Sequence, residues 1–134
     1  MEVLEWRRER FNRQLGRLAD AGATPQEKIV AIFDWHEGWF DDPDFHGCLF
    51  QHALAEFGDP KHAVFDAVMR QKRDIQHRLR DILAQALPDE RARHVATTLS
   101  MLIEGAAVLA QMGQGKTAID NARTMAIDIL AAET

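Results

Sequence analysis

The sequence has little cysteine and no long apolar segment. It contains one Cys and no Tyr among 134 residues. A single Cys excludes an internal disulfide, and a chain of this length can form a hydrophobic core without a disulfide. No basic segment followed by an apolar stretch begins the chain, and no uninterrupted apolar run reaches the roughly 18 residues that a membrane span requires. We therefore expect one cytoplasmic domain that does not associate with a membrane.

Positive charge is also in deficit. The chain has 16 Lys and Arg residues against 21 Asp and Glu residues, a net charge of −5. Proteins that bind a phosphate backbone usually present a clustered basic face. The basic residues from Arg70 to Arg80 are interleaved with Asp74 and Asp81, which is typical of a solvated helix face, and the segment from Asp34 to Asp44 contains no base. This charge pattern argues against direct contact between the chain and nucleic acid.

Apolar residues recur at helical spacing along the chain, and the breaks fall where Pro, Gly and Asp cluster. This pattern predicts six helices and no strand. Their approximate bounds are Glu2 to Ala21, Pro25 to Phe40 after the Thr24 capping signal, Cys48 to Phe57, Asp59 to Leu87, Asp89 to Met112, and Lys116 to Ala132. The predicted fold class is all-α, with a single domain over residues 1–134.

The fifth predicted helix is apolar on every side. Its only charged residue between Val95 and Met112 is Glu104, which we expect to bond within a dimer interface or to a neighbouring helix, because an unpaired buried charge is costly. The sixth has alanines at i, i+4 spacing, which let another backbone approach. Together they predict a homodimer joined through a four-helix bundle, and the alternative is a monomer with these helices at its centre. The predicted interface residues are Ile103, Ala107, Ala110, Ala118, Ala122, Ala126 and Ile129.

Several segments resemble one protein family. They are residues 28–40, the Phe45-His46-Gly47-Cys48-Leu49-Phe50 run, Ala53 to Phe57, the Asp59-Pro60 helix start, and Leu102 to Gln111. These segments are similar to the C-terminal, effector-binding domain of TetR-family transcriptional regulators, and the resemblance covers nearly the whole chain. It implies a homodimer built on the last two helices, with a small-molecule pocket in each regulatory domain. It also implies a role in transcription regulation, with no enzymatic activity and no cofactor.

Family members read an operator through an N-terminal helix-turn-helix domain. Met1 falls where the first long regulatory-domain helix begins. We therefore expect a truncated regulator that contacts DNA only through a domain missing from this chain; a stand-alone sensor domain is the alternative. The resemblance also implies that ligand binding displaces the first long helix, Glu2 to Ala21.

A pocket for a medium-sized, mostly apolar ligand is predicted between the second, third, fourth and fifth helices. Such pockets combine aromatic and Met side chains with a few polar groups that orient the ligand. The predicted ligand-binding residues are Phe33, His36, Trp39, Phe40, Cys48, His52, Phe65, Met69, Leu99 and Leu102. The alternative is a filled core in which these side chains contact one another, in a helical interaction module without a cavity.

His46, Cys48 and His52 allow two other interpretations. Together they offer three ligands that could hold zinc with one open position, as in a metal-dependent enzyme, although their spacing matches no established motif. Cys48 near a helix N-terminus could instead be a redox-sensitive thiolate, or an inert buried thiol. We expect ordinary pocket residues and no metal.

A loose phosphate-loop pattern runs from Ala110 to Thr117. A phosphate loop follows a strand, whereas here an apolar helix precedes the glycines. We interpret the segment as the turn of a helical hairpin.

Overall fold

The computed structural model describes residues 2–21, 24–43, 45, 53, 55–56 and 63–133. These residues contain five helices and no strand: α1 (Glu2–Ala21), α2 (Pro25–Phe40), α3 (Ala63–Leu83), α4 (Asp89–Gln111) and α5 (Gly115–Glu133). The all-α prediction is confirmed, but the count of six helices is not. The predicted third helix falls largely outside the described residues, of which positions 53, 55 and 56 are helical.

Local signals set where α2 begins and where α3 ends. The Oγ1 of Thr24 accepts a hydrogen bond from the Glu27 backbone N–H at 3.1 Å, and Pro25 occupies the first helical turn, as predicted. In contrast, α3 ends at Leu83, four residues before the predicted end. Residues 84–86 form a turn that places Leu87 in the core, because the residue before Pro88 disfavours helical backbone.

The chain reverses between α4 and α5 at Gly113, whose φ of 81° lies in the left-handed region that favours glycine. The Gln114 N–H donates to the Leu109 carbonyl at 3.0 Å, which satisfies one of the last carbonyls of α4. A Cβ on Gly115 would lie 3.1 Å from the Cβ of Ala110. The segment with the phosphate-loop pattern is therefore the tight turn of a helical hairpin.

Buried residues from all five helices form one hydrophobic core. Leu15 of α1, Phe33 of α2, Leu79 of α3, Leu99 of α4 and Ile119 of α5 are each no more than 1% exposed. Helix α4 packs against α2, α3 and α5, whereas α1 packs against α2 and α3. Helices α1 and α4 thus flank the same pair of helices, and the space between them is where a cleft opens. Among the described residues, no helix combines the length and apolar character needed to cross a bilayer.

Polar side chains connect α1 to α3. Asp74 of α3 accepts hydrogen bonds from the guanidinium of Arg8 and from Nδ2 of Asn12, the latter at 3.0 Å. Partial burial by itself would raise the pKa of Asp74, but these hydrogen bonds outweigh it and the pKa is lowered. This contact sets the position of α1, which forms one wall of the cleft.

Two Gly→Ala substitutions are expected to have opposite effects. Gly113→Ala places a Cβ at positive φ and should lower the free energy of unfolding by about 1–2 kcal/mol. Gly38→Ala, within α2 and with no atom within 4 Å of the added Cβ, should raise it by about 0.5–1 kcal/mol. Urea denaturation followed by circular dichroism measures both changes. Equal changes in the two variants would contradict the role given to Gly113.

Candidate ligand-binding cleft

A cleft of about 630 Å³ opens between α1, α2, α3 and α4, and we call it the aromatic cleft. It is lined by Arg7, Arg10, Phe11 and Gln14 of α1, Trp35, His36, Gly38 and Trp39 of α2, Asp42 and Phe45 beyond α2, Gln71, Lys72 and Ile75 of α3, and Ile103, Glu104 and Ala107 of α4. Its volume lies within the range of small-molecule sites. Ile75, Ile103 and Ala107 are buried and close its inner end, whereas Arg7 and Arg10 are exposed at its mouth.

Aromatic side chains form one wall of the aromatic cleft. Trp35 and Trp39, one turn apart on α2, stack with ring centroids 5.7 Å apart and an interplanar angle of 29°. Phe11 of α1 meets Trp35 edge-on at 5.3 Å, and Phe45 meets Trp39 edge-on at 4.9 Å. Ring faces and edges held in this way favour a flat, mostly apolar molecule as the occupant.

His36 lies at the inner end of this wall and is 2% exposed. Its Nδ1 lies 2.8 Å from the Ile32 carbonyl oxygen. Because a carbonyl oxygen can only accept, Nδ1 carries the proton and Nε2 of the neutral ring is an acceptor. Burial lowers the pKa of His36 to about 4, although the hydrogen bond to Ile32 favours the charged form. The ring is therefore neutral at pH 7 and has one acceptor left for a ligand.

Gln71 of α3 is a second polar group on the inner wall. The residue is 3% exposed, and its Oε1 is buried with no hydrogen-bond partner among the described residues. A buried polar atom without a partner costs roughly 1–3 kcal/mol, so such atoms are rare in native structures unless a ligand or water satisfies them. The sequence analysis did not find Gln71. Its signal is a polar residue four positions before Ile75 on the buried stripe of α3.

An ion pair crosses the aromatic cleft between α3 and α4. The Nζ of Lys72 donates to both carboxylate oxygens of Glu104 at 2.8 Å. Glu104 is thus bonded to a neighbouring helix, one of the two arrangements expected for it from the sequence. The two charges neutralise each other at the wall of the cleft.

Two arginines stand at the mouth of the aromatic cleft. The guanidinium carbons of Arg7 and Arg10 lie 5.8 and 5.5 Å from the ring centroid of Trp6, within the range of cation–π contacts. Within the described part of the chain neither guanidinium has a carboxylate partner. The sequence analysis missed this pair as well, although positions 7, 10, 11 and 14 share one face of a helix.

Residues 25–126 match the family profile described as "Tetracyclin repressor-like, C-terminal domain". The chain belongs to this family of TetR-type C-terminal domains. The resemblance identified from the sequence is therefore confirmed, and it places the chain among regulators of transcription, a family that is generally not enzymatic.

A solved structure supports the same fold. The crystal structure of a TetR-family transcriptional regulator from Streptomyces coelicolor superposes with a TM-score of 0.89 and 21% sequence identity, over 97% of this chain and 68% of that chain. At this level of identity the similarity shows a shared fold. No curated protein matches the sequence.

The TetR-type fold distributes the ten predicted ligand-binding residues over several environments. His36 and Trp39 line the aromatic cleft. Phe33 and Leu99 are buried in the core, Phe40 and Leu102 pack partly buried against it, and Phe65 and Met69 are partly buried on α3 away from the cleft lining. Cys48 and His52 lie outside the described residues. Ligand contact remains a prediction for all ten.

Four of the seven predicted interface residues are buried in their own domain and three are partly buried, and contact with a second copy stays a prediction for all of them. Ile103 and Ala107 are buried on the inner wall of the aromatic cleft, and Ala122 and Ala126 are buried against the neighbouring helices. Ala118 and Ile129 pack partly buried against the core, and Ala110 is partly buried beside Gly115. A different set of apolar side chains is exposed on the last two helices.

The metal interpretation depends on His46, Cys48 and His52, which all lie outside the described residues. Over the ranges that the structure describes, no three His, Cys, Asp or Glu side chains come together in a way that could hold a metal ion. The zinc and redox interpretations therefore stay untested.

Substitution of His36 is expected to remove a pH dependence of stability. The unfolded chain takes up a proton near pH 6.5 and the folded chain only near pH 4, so the contribution of neutral His36 is complete above about pH 6.5 and is lost as the pH falls towards 4. Between pH 7 and pH 5 the wild type should lose about 2 kcal/mol more than His36→Gln.

Urea denaturation at the two pH values measures this difference. His94→Gln, at an exposed position on α4, is the matched control and should keep the wild-type pH dependence. If His36→Gln also keeps it, the assignment of a buried neutral imidazole is wrong.

Proposed function

We propose that this domain binds a small, mostly apolar molecule in the aromatic cleft and is the ligand-sensing and dimerisation part of a TetR-family transcriptional regulator. One observation carries the proposal: the cleft combines stacked Trp35 and Trp39 with the buried polar groups of His36 and Gln71. A core made only for stability has no use for an unpartnered amide oxygen beside aromatic rings. A ligand that satisfies these groups accounts for both.

A second groove, of about 610 Å³, is a weaker candidate. It lies between α2, the end of α3 and α5, and is lined by apolar residues such as Val30, Leu87 and Leu130 together with exposed polar residues of α2. It has no aromatic side chain and no buried polar group in its lining. It therefore offers apolar surface but nothing that would orient a ligand.

Helix α1 is the part of the cleft that a ligand is best placed to move. Leu15 is its one buried residue among those described, whereas α4 has eight. The rest of its attachment includes the partly buried contacts of Arg8 and Asn12 with Asp74. A segment with few buried apolar contacts is displaced at low free-energy cost. We propose that ligand binding shifts α1, which in a complete regulator adjoins the DNA-reading helix-turn-helix domain.

An apolar stripe on α4 and α5 supports the proposed dimer. It consists of Met101, Val108 and Leu109 on α4, Met112 directly after α4, and Met125 on α5, which are 39–69% exposed. Gly105 is exposed within the same stripe and has no side chain to keep another backbone away. We propose that these residues pack against the same stripe of a second copy, as a four-helix bundle about a two-fold axis.

Filling the aromatic cleft should abolish ligand binding. Gly38 lines the cleft, and no atom lies within 4 Å of a Cβ added there, so Gly38→Phe adds a ring without a backbone clash. We expect it to weaken binding of the neutral fluorescent probe N-phenyl-1-naphthylamine at least tenfold. Probe fluorescence at a series of protein concentrations measures the dissociation constant.

The matched control is Ala84→Phe, which adds the same ring at an exposed position just after α3, outside the cleft lining and the apolar stripe. It should leave probe affinity unchanged. Equal affinity of Gly38→Phe and wild type would rule out the aromatic cleft as the binding site.

Introducing charged residues into the exposed stripe tests the proposed dimer. The wild type should have about twice the 15.2 kDa mass of one chain in size-exclusion chromatography with light scattering. Met101→Glu combined with Val108→Glu should yield a monomer, because a partner would bury the new carboxylates without counterions. Gly38→Phe should remain a dimer. A wild-type monomer at tens of micromolar would refute the proposed interface.

A further inference from the structure

The inner end of the aromatic cleft has hydrogen-bonding groups that a ligand hydroxyl can satisfy. His36 has its Nδ1–H engaged with the Ile32 carbonyl, so only Nε2 remains, and it accepts. Gln71 brings an amide whose oxygen has no partner among the described residues, and rotation of that amide presents either its oxygen or its NH₂ to the cleft. A hydroxyl donates its one proton to Nε2 of His36 while it accepts from the NH₂ of Gln71. An ether or a halogen lacks the proton that Nε2 needs.

The described lining residues leave the mouth of the aromatic cleft with an excess of positive charge. Arg7 and Arg10 are exposed and lack an ion-pair partner in the described part of the chain, although their neighbour Arg8 pairs with Asp74. The only carboxylate at the mouth among the described lining residues is Asp42, so two positive charges face one negative charge there. The Lys72–Glu104 pair deeper in the cleft adds no net charge. Two guanidinium groups one turn apart are suited to a carboxylate.

The residues that line the aromatic cleft differ in exposure. Arg7 and Arg10 are exposed, Trp35 and Trp39 are partly buried, and His36 and Gln71 are buried. We infer that the cleft binds a planar aromatic carboxylate that carries a hydroxyl group at the end remote from the carboxylate. This inference rests on the proposed ligand-sensing function and adds to it the chemical class of the ligand.

Three naphthalene derivatives of nearly equal size test the inference. 6-Hydroxy-2-naphthoate has both groups, 2-naphthoate lacks the hydroxyl, and 2-naphthol lacks the carboxylate. Isothermal titration calorimetry should give the tightest binding for the first and about tenfold weaker binding for each of the others, as expected for the loss of one hydrogen bond or ion pair. Added NaCl should weaken binding of the two carboxylates and leave 2-naphthol unaffected.

Substitution of the arginines at the mouth tests whether they cause the preference for a carboxylate. Arg7→Gln combined with Arg10→Gln should abolish the preference for 6-hydroxy-2-naphthoate over 2-naphthol. Arg13→Gln combined with Arg17→Gln, which makes the same charge change on the exposed side of α1, should keep it.

Gln71→Met tests the inner end, because Met has nearly the same length without polar atoms. It should reduce the preference for 6-hydroxy-2-naphthoate over 2-naphthoate and raise the urea midpoint of the ligand-free protein, since a buried amide oxygen without a partner is removed. A lower urea midpoint would show that Gln71 is satisfied within the fold and would overturn its role as a ligand contact.

The outcomes separate this inference from the proposed function. If the three compounds bind with equal affinity, or if none binds while N-phenyl-1-naphthylamine does, the hydroxyaromatic carboxylate is excluded and the ligand-sensing function stands. If neither the three compounds nor the neutral probe binds, both are overturned.

Discussion

The burial of α4 is the constraint on which the rest of the structure depends. Val95, Leu99 and Ile103 are at most 2% exposed, and the helix packs against α2, α3 and α5 at the same time. Because three helices cover only part of its circumference, the fold leaves two further faces. One face closes the inner end of the aromatic cleft, and the other is the exposed stripe that includes Met101 and Val108. Core, cleft and exposed stripe therefore share one rigid element.

The one charged side chain in the apolar part of α4, Glu104, is neutralised by a residue of α3. Glu104 would be costly to bury alone, and both of its carboxylate oxygens accept from Lys72. The pair also connects α3 to α4 at the wall of the cleft. Since these charges cancel, the excess of positive charge at the mouth comes from α1, which has one buried residue among those described. In the proposed function, the charge of the ligand and the movement of α1 are linked through Arg7 and Arg10.

The sequence was sufficient to predict the five helices that the structure describes, and the family. The Thr24 capping signal, Pro25 and the glycines around position 113 act through local backbone geometry, so their effects can be inferred from neighbouring residues alone. The exception was the end of α3, which lies four residues before the predicted end. Pro88 disfavours helical backbone at Leu87, but the burial of Leu87 in the core depends on residues distant in sequence.

What only the tertiary structure decided is the direction in which each apolar face points. Phe33 and His36 are three residues apart on one face of α2, and both are buried. Phe33 packs in the hydrophobic core, whereas His36 lines the aromatic cleft. Ala122 and Ala126 have the spacing of an interface, but they are buried within their own chain. The periodicity of apolar residues depends on one helix alone, so the sequence shows which face of that helix is apolar. Which surface covers that face depends on helices that are distant in sequence. Gln71 was not predicted as a site residue for the same reason. The packing around a polar side chain decides whether it has a hydrogen-bond partner, and that packing involves helices distant in sequence.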